Sequence, residues 1–181
     1  MLVGSGRISG AVTNRAGGAI SAGAGVGLLS TGAEFWLGGS TNRWEISDAA
    51  STAGVGWDLL NIAGALSIAA TSSNKAYIDV VSLTLAGLPG AASNFDPTQN
   101  YVWTIAQTTT GIAFLPGQSE LTVFGLMTDG FMNPLSGGSF SLATANSGRD
   151  LNLIYTVPEP QSWMLIVIGI CGYLYGRKGA R

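Results

Sequence analysis

The sequence predicts an all-β fold: an irregular parallel β-helix that reads as the end of a longer stack. A β-sandwich is the alternative, and a single short hydrophobic helix is expected at the C-terminus. Three observations predict this. Apolar and polar residues alternate with period two in short runs bounded by Gly, Ser, Asn and Asp. No segment before residue 160 sustains a helical period. Residues 1–40 are rich in glycine and alanine and offer no helical face, and glycine is costly in a helix interior.

Residues 1–40 carry only faint alternation, at Ile8, Val12, Ile20, Val26 and Leu28, and the run GAVTNRAGGAISAGAGVG within them has no helical face. Its start, MLVGSGRISG, has no basic region followed by an apolar core. The expectation is therefore a fragment, or a misplaced start, of a protein whose export signal lies upstream. Strand signals then recur: Phe35-Trp36-Leu37, Trp44-Glu45-Ile46, Leu60-Asn61-Ile62, Leu66-Ser67-Ile68, Ile78-Asp79-Val80 and Leu83-Thr84-Leu85. They continue at Tyr101-Val102-Trp103-Thr104-Ile105, Leu121-Thr122-Val123, Phe140-Ser141-Leu142 and Leu151-Asn152-Leu153-Ile154-Tyr155. Side chains alternate across a strand. Leu60, Ile62, Leu66, Ile68, Ile78, Val80, Tyr101, Trp103, Ile105, Leu151, Leu153 and Tyr155 are thus expected to share one interior, with Asn61, Ser67, Asp79, Thr104 and Asn152 facing out.

Weak self-similarity links ISGAVT at 8–13 to IAGALS at 62–67, and IAATSS at 68–73 to LATANS at 142–147. The spacings are unequal, as in irregular rungs rather than a strict repeat. The chain divides into a Gly/Ala-rich entry (1–40), an all-β surface module (41–156) and a C-terminal tail (157–181).

Composition narrows the function. Of 181 residues only 10% are charged, against roughly 25% in an average soluble domain. Glycine (27 residues), Ala, Ser and Thr fill the gap. Residues 1–157 hold nine acidic and five basic side chains, so the body lacks the positive face that nucleic-acid binding needs. There is no histidine, which removes the commonest general base and most transition-metal sites. The single cysteine, Cys171, leaves no intramolecular disulfide.

The ending is the most specific signal. Pro158, Glu159 and Pro160 make a stiff, extended, helix-free segment that a protease groove can read. An uncharged run follows: Trp163, Met164, Leu165, Ile166, Val167, Ile168, Gly169, Ile170, Cys171, Gly172, Tyr173, Leu174 and Tyr175, with aromatics at each end. Arg177, Lys178 and Arg181 supply a positive stop that suits the cytoplasmic side. As a helix the run reaches only ~20 Å against a hydrocarbon core of ~30 Å, a length that by itself suggests a buried or interfacial helix. Its terminal position and flanking motif favour a membrane segment.

This order resembles the PEP-CTERM sorting domain of exported proteins in polysaccharide-producing Gram-negative bacteria. The resemblance covers about residues 157–181, with Gly179-Ala180 interrupting the basic end. It implies that an exosortase, a multispanning membrane enzyme, recognises Pro158, Glu159 and Pro160 and cleaves the tail. It implies also a tail-anchored stage at the inner membrane, then the cell surface or extracellular matrix. In the body, Trp44-Glu45-Ile46-Ser47-Asp48-Ala49, Gly56-Trp57-Asp58-Leu59-Leu60 and Gly64-Ala65-Leu66-Ser67-Ile68 are similar to the end of passengers with autotransporter-associated β-strand repeats. That resemblance implies a surface-exposed β-helix without activity of its own.

Asp48, Asp58, Asp79, Asp96 and Asp129 are candidates for a calcium site or a glycosidase carboxylate pair, but none stands at ligand spacing, and Asp beside Gly, Pro or Asn usually caps turns. Trp36, Trp44, Trp57, Tyr101 and Trp103 are candidates for a sugar-binding face, though packing is the commoner fate of such rings. No glycine loop has a nucleotide-binding pattern, and Gly169 and Gly172 form no GxxxG pair. Cys171 reads as a small apolar filler rather than a lipidation site. The expectation is a non-enzymatic structural or adhesive surface protein with no cofactor and no metal site, whose partners are the exosortase, the membrane before cleavage, and extracellular polysaccharide. The alternatives are a carbohydrate-binding module, or the end of a β-helical polysaccharide-degrading enzyme with its catalytic residues upstream.

Overall fold

A computed structural model describes residues 1–158 of the chain. Glu159, Pro160, the expected membrane helix and the basic stop lie outside the described residues. Within 1–158 the protein is mostly β, built from parallel sheets. The first winding contributes β1 (Leu2–Val3), β2 (Gly6–Arg7) and β3 (Val12–Asn14). The second gives β4 (Ala19–Ser21), β5 (Leu28–Thr31) and β6 (Glu34–Leu37), and the third β7 (Thr41–Ile46), β8 (Leu59–Ile62) and β9 (Ala65–Ala69). The fourth gives β10 (Ala76–Ser82), β11 (Tyr101–Thr108) and β12 (Gly111–Phe114). A one-turn helix α1 (Glu120–Val123) then leads to β13 (Phe124–Met127) and a final pair, β14 (Ser139–Ala145) and β15 (Asp150–Thr156).

Each winding lays one strand in each of three sheets. Sheet I runs β1-β4-β7-β10-β13, sheet II β2-β5-β8-β11-β15-β14, and sheet III β3-β6-β9-β12. All pairings are parallel except those of β15, which runs antiparallel to both β11 and β14. Three sheets, not the two of a sandwich, enclose the core. The Gly/Ala-rich entry and the residues beyond it share these sheets: β4 pairs with β7, β5 with β8 and β6 with β9.

Parallel register stacks like positions into columns. Ile20, Asn42, Ile78 and Leu126 form one in sheet I. Asn14, Trp36, Ile68 and Phe114 form another in sheet III. The apolar members bury against one another, and every expected interior residue is buried except the half-buried Tyr101. The corner between sheets II and III is short at 32–33, 63–64 and 109–110. A Cβ on Gly32 would lie 2.7 Å from the Gly10 carbonyl, so glycine sets how closely the first two windings approach there. The repeat seen at 8–13 and 62–67 is this corner, two windings apart, with Val12 and Leu66 in one column. The likeness of 68–73 to 142–147 has no such counterpart, since the two stretches lie in different sheets.

Two expected strands take other forms. Leu83-Thr84-Leu85 enters a loop in which Thr84 N donates to the Leu88 carbonyl at 2.8 Å and Gly87 takes φ 74°. The local turn thus uses the donor that a further ladder would need, and Leu85 is exposed. Leu121-Thr122-Val123 is α1. The Ser119 amide donates to Thr122 Oγ1 at 3.0 Å, and this bond fixes one helical turn. Leu121, 77% exposed, and buried Val123 would share a face in a strand, and helical spacing separates them.

The far end is closed by aromatics. Phe95, Tyr101, Trp103, Phe131, Phe140 and Tyr155 interlock, with Tyr101 and Trp103 stacked at 4.9 Å and Phe95 edge-on to Tyr155 at 5.0 Å. The Tyr155 hydroxyl donates to the Pro97 and Leu135 carbonyls. At the near end β1, β2 and β3 are the last strands of their three sheets.

Candidate binding surfaces

The five candidate aspartates do not converge. Asp48 accepts from the Ala50 amide and Asn94 Nδ2. Asp96 accepts from the Thr98 amide and hydroxyl and from Gln99 Nε2, and these bonds hold its carboxyl below the usual range. Both are turn caps, as their neighbours suggested. Asp79 lies on the outer face of sheet I, where partial burial and nearby Asp129 push its carboxyl up against the pull of Arg43. Among the described residues no three potential ligands gather into a metal-binding group.

Asp58 is different. It is 2% exposed, and its oxygens accept from the Gly27 amide at 2.8 Å and the Glu45 amide at 3.2 Å. Buried Glu45 accepts in turn from the Gly25 amide at 3.1 Å and from Arg43 Nε at 2.9 Å. Desolvation, with Glu45 adding to it, raises the Asp58 carboxyl from its ordinary 3.8 to about 7. The two carboxylates clamp the loop 22–27 from beneath by its backbone amides. The loop is tightly coiled: a Cβ on Gly23 would stand 2.1 Å from the Gly25 carbonyl.

The sequence reading missed Glu45 as a clamp, and missed Glu34 altogether. Glu34 is fully buried in the column Val12, Glu34, Leu66, Ile112. The Thr31 hydroxyl and Trp36 Nε1 each donate to it at 2.7 Å, and desolvation still raises its carboxyl. The signal was present, since Glu34 stands two residues before Trp36 and so on the same strand face.

The candidate aromatic platform is mostly interior, as the commoner fate of such rings suggested. Trp36, Trp44 and Trp103 are buried, with Trp44 and Trp103 packed at 5.8 Å and their Nε1 groups donating to the Asp58 and Ala49 carbonyls. Trp57 and Tyr101 are half-buried. These rings pack the core rather than present a sugar-binding face.

Three surface features remain. A cleft of 340 Å³ lies where sheet I turns into sheet II, lined by Ala24, Gly25, Val26, Val55, Leu83 and Leu85 among others. A smaller one of 170 Å³ sits between α1, β13 and β14. The third is the outer face of sheet I, with Thr41 and Arg43 on β7 beside Tyr77 and Asp79 on β10, then Gly125 and Met127 on β13. At the exit from the body the Val157 amide donates to Asn100 Oδ1 at 2.8 Å, and Pro158 is exposed. No helix among the described residues is long and apolar enough to cross a membrane. No protein-family model, curated protein or solved structure matches the chain.

Proposed function

We propose that the chain is an exported, non-enzymatic structural or adhesive surface module, a β-helical body delivered by a tail that an exosortase recognises at Pro158, Glu159 and Pro160. The observation that carries this reading is the junction. A low-charge, hydroxyl-rich body ends in an exposed proline that opens the Pro158-Glu159-Pro160 segment, with the uncharged run from Trp163 and the basic stop after it. An exposed, proline-stiffened segment beside a closed body is open to a protease. The absence of histidine supports a non-catalytic role. Expression in a host that has exosortase should yield surface or medium protein whose intact mass lacks the residues beyond the PEP segment. Mature protein from such a host that still carries Arg181 overturns the reading.

A second reading, carbohydrate binding within extracellular polysaccharide, is favoured by the outer face of sheet I, where an exposed ring stands beside hydrogen-bonding side chains. It concerns what the body holds, whereas the sorting reading concerns how it is delivered.

A further inference from the structure

We infer that the outer face of sheet I around Tyr77 binds a pyranose unit of a neutral polysaccharide; this deepens the carbohydrate-binding reading and rests on it. Tyr77 is 37% exposed and stands in register between Thr41 on β7 and Gly125 on β13. A Cβ on Gly125 would lie 2.7 Å from both Cδ1 and Cε1 of the Tyr77 ring. Gly125 is not among the glycines of positive φ, so its backbone does not require glycine. The ring does: it leans over β13 into the space a side chain would fill. A side chain seated in this way is held in place before any ligand arrives, which lowers the ordering cost of binding.

The groups around the ring suit a sugar. Asp79 follows two residues along the same strand face, and Arg43 is its register partner on β7. Thr41 offers a hydroxyl on the other side of the ring. A carboxylate accepts from sugar hydroxyls, a guanidinium donates to them, and the aromatic ring covers the apolar face of the pyranose. On β4 the neighbours Ala19 and Ser21 are small, while Met127 on β13 and the Lys75 stem flank the ring on the other side.

Charge selects the class of glycan. The groups bearing on this face are Arg43 and Lys75 against Glu45, Asp79 and Asp129. Arg43 is already paired to Glu45, and Asp79 with Asp129 outweighs Lys75, so the field an incoming ligand meets is negative. An anionic polysaccharide is repelled, and a neutral, hydroxyl-rich one is not.

The test is affinity electrophoresis of the chain in gels containing dextran, yeast mannan or alginate. The expected result is retardation by at least one neutral polymer and none by alginate. Tyr77→Ala should weaken that retardation about tenfold or more, equivalent to about 1.4 kcal/mol. Tyr77→Phe should keep most of it, and Asp79→Asn should weaken it. Gly125→Ala, which displaces the ring without removing it, should weaken it too. Phe35→Ala, at a 41% exposed ring on sheet III, should change nothing. Urea midpoints of the variants confirm that each is folded. Retardation by a neutral polymer that survives Tyr77→Ala, or that is lost with Phe35→Ala, overturns the site but leaves the carbohydrate-binding reading standing. Retardation by alginate alone overturns the charge selection and the neutral-glycan site but leaves the carbohydrate-binding reading standing. No retardation by any of the three polymers overturns both the site and that reading.

Discussion

The buried carboxylate Asp58 makes the body's stability depend on pH in the direction opposite to an ordinary salt-bridged acid. Its carboxyl rises from 3.8 to about 7 because it is taken out of water with Glu45 beside it. The folded protein therefore binds a proton that the unfolded chain releases, and stability falls as pH rises through this window. The contribution is fully present below the unfolded value and lost as pH passes the folded one. Roughly three pK units at 1.36 kcal/mol each give about 4 kcal/mol in all, of which about 3 is lost between about pH 5 and about pH 8. Asp58→Asn removes the titration while keeping the shape. Its amide nitrogen replaces an oxygen that accepts from the Gly27 or the Glu45 amide, so the variant should start lower by about 1–3 kcal/mol. The informative quantity is therefore the slope. Urea melts of both proteins at about pH 5 and about pH 8 should show the native chain losing about 3 kcal/mol more than the variant. Glu34, whose carboxyl is also raised, contributes to both slopes alike and cancels. Parallel slopes would refute the argument, and would mean that Asp58 is ionised at low cost beneath the loop.

Other outcomes test the packing and the chemistry. Leu66→Asp places a second carboxylate beside Glu34 in one buried column and should cost several kcal/mol after relaxation, whereas Ser67→Asp on the outer face should stay within roughly 0.5 kcal/mol; equal, small effects in urea melts would mean that the alternation does not mark the core. Tyr155→Phe strips the Pro97 and Leu135 carbonyls of a shared donor and should cost about 1–3 kcal/mol, read as a lower urea midpoint, and an unchanged midpoint would show that those carbonyls find other partners. The chain should turn over no glycan; turnover abolished by a single Asp→Asn change would establish a catalytic carboxylate and overturn the non-enzymatic reading.

Much of the body was legible because period two is a local property. Leu66, Ser67 and Ile68 reveal their faces without knowledge of the partner strand, and parallel register repeats the same choice one winding later. The form of the stack was less legible, because the windings lengthen along the chain and β15 runs against the rest. Leu121 and Val123 misled because three residues cannot distinguish a strand from one turn of helix, and Thr122 settles the matter through its hydroxyl. The aromatic residues were legible through the same period of two: Trp36, Trp44 and Trp103 each lie in the inward phase of their strands, so packing, the commoner fate of such rings, is the one they meet. The residue that matters most to the inferred sugar face, Tyr77, was overlooked beside Ile78, and only its register with Gly125 draws attention to it. Nor could spacing reveal Asp58 as a clamp, since Gly27 comes from the preceding winding and Glu45 from the far side of a long excursion within its own.

The excursions from sheet I to sheet II occupy residues 4–5, 22–27, 47–58, 83–100 and 128–138, while those from sheet II to sheet III stay at 8–11, 32–33, 63–64 and 109–110. The molecule is thus a prism with one ornamented edge and one bare edge. Along the ornamented edge, length is free: the strands on either side are held by their neighbours above and below. The excess chain packs back in part, through Ala49, Ala92 and Phe131, and in part projects into solvent, as at Leu85 and Leu88. Along the bare edge, added residues would have to force the sheets apart. A foreign peptide spliced between Leu85 and Leu88, both exposed, should therefore ride on the folded body as a displayed epitope. The same peptide between Ala63 and Gly64 should prevent the third winding from closing. The fold has in effect separated the part of its sequence that keeps the lattice from the part open to variation, and has placed the latter along a single line.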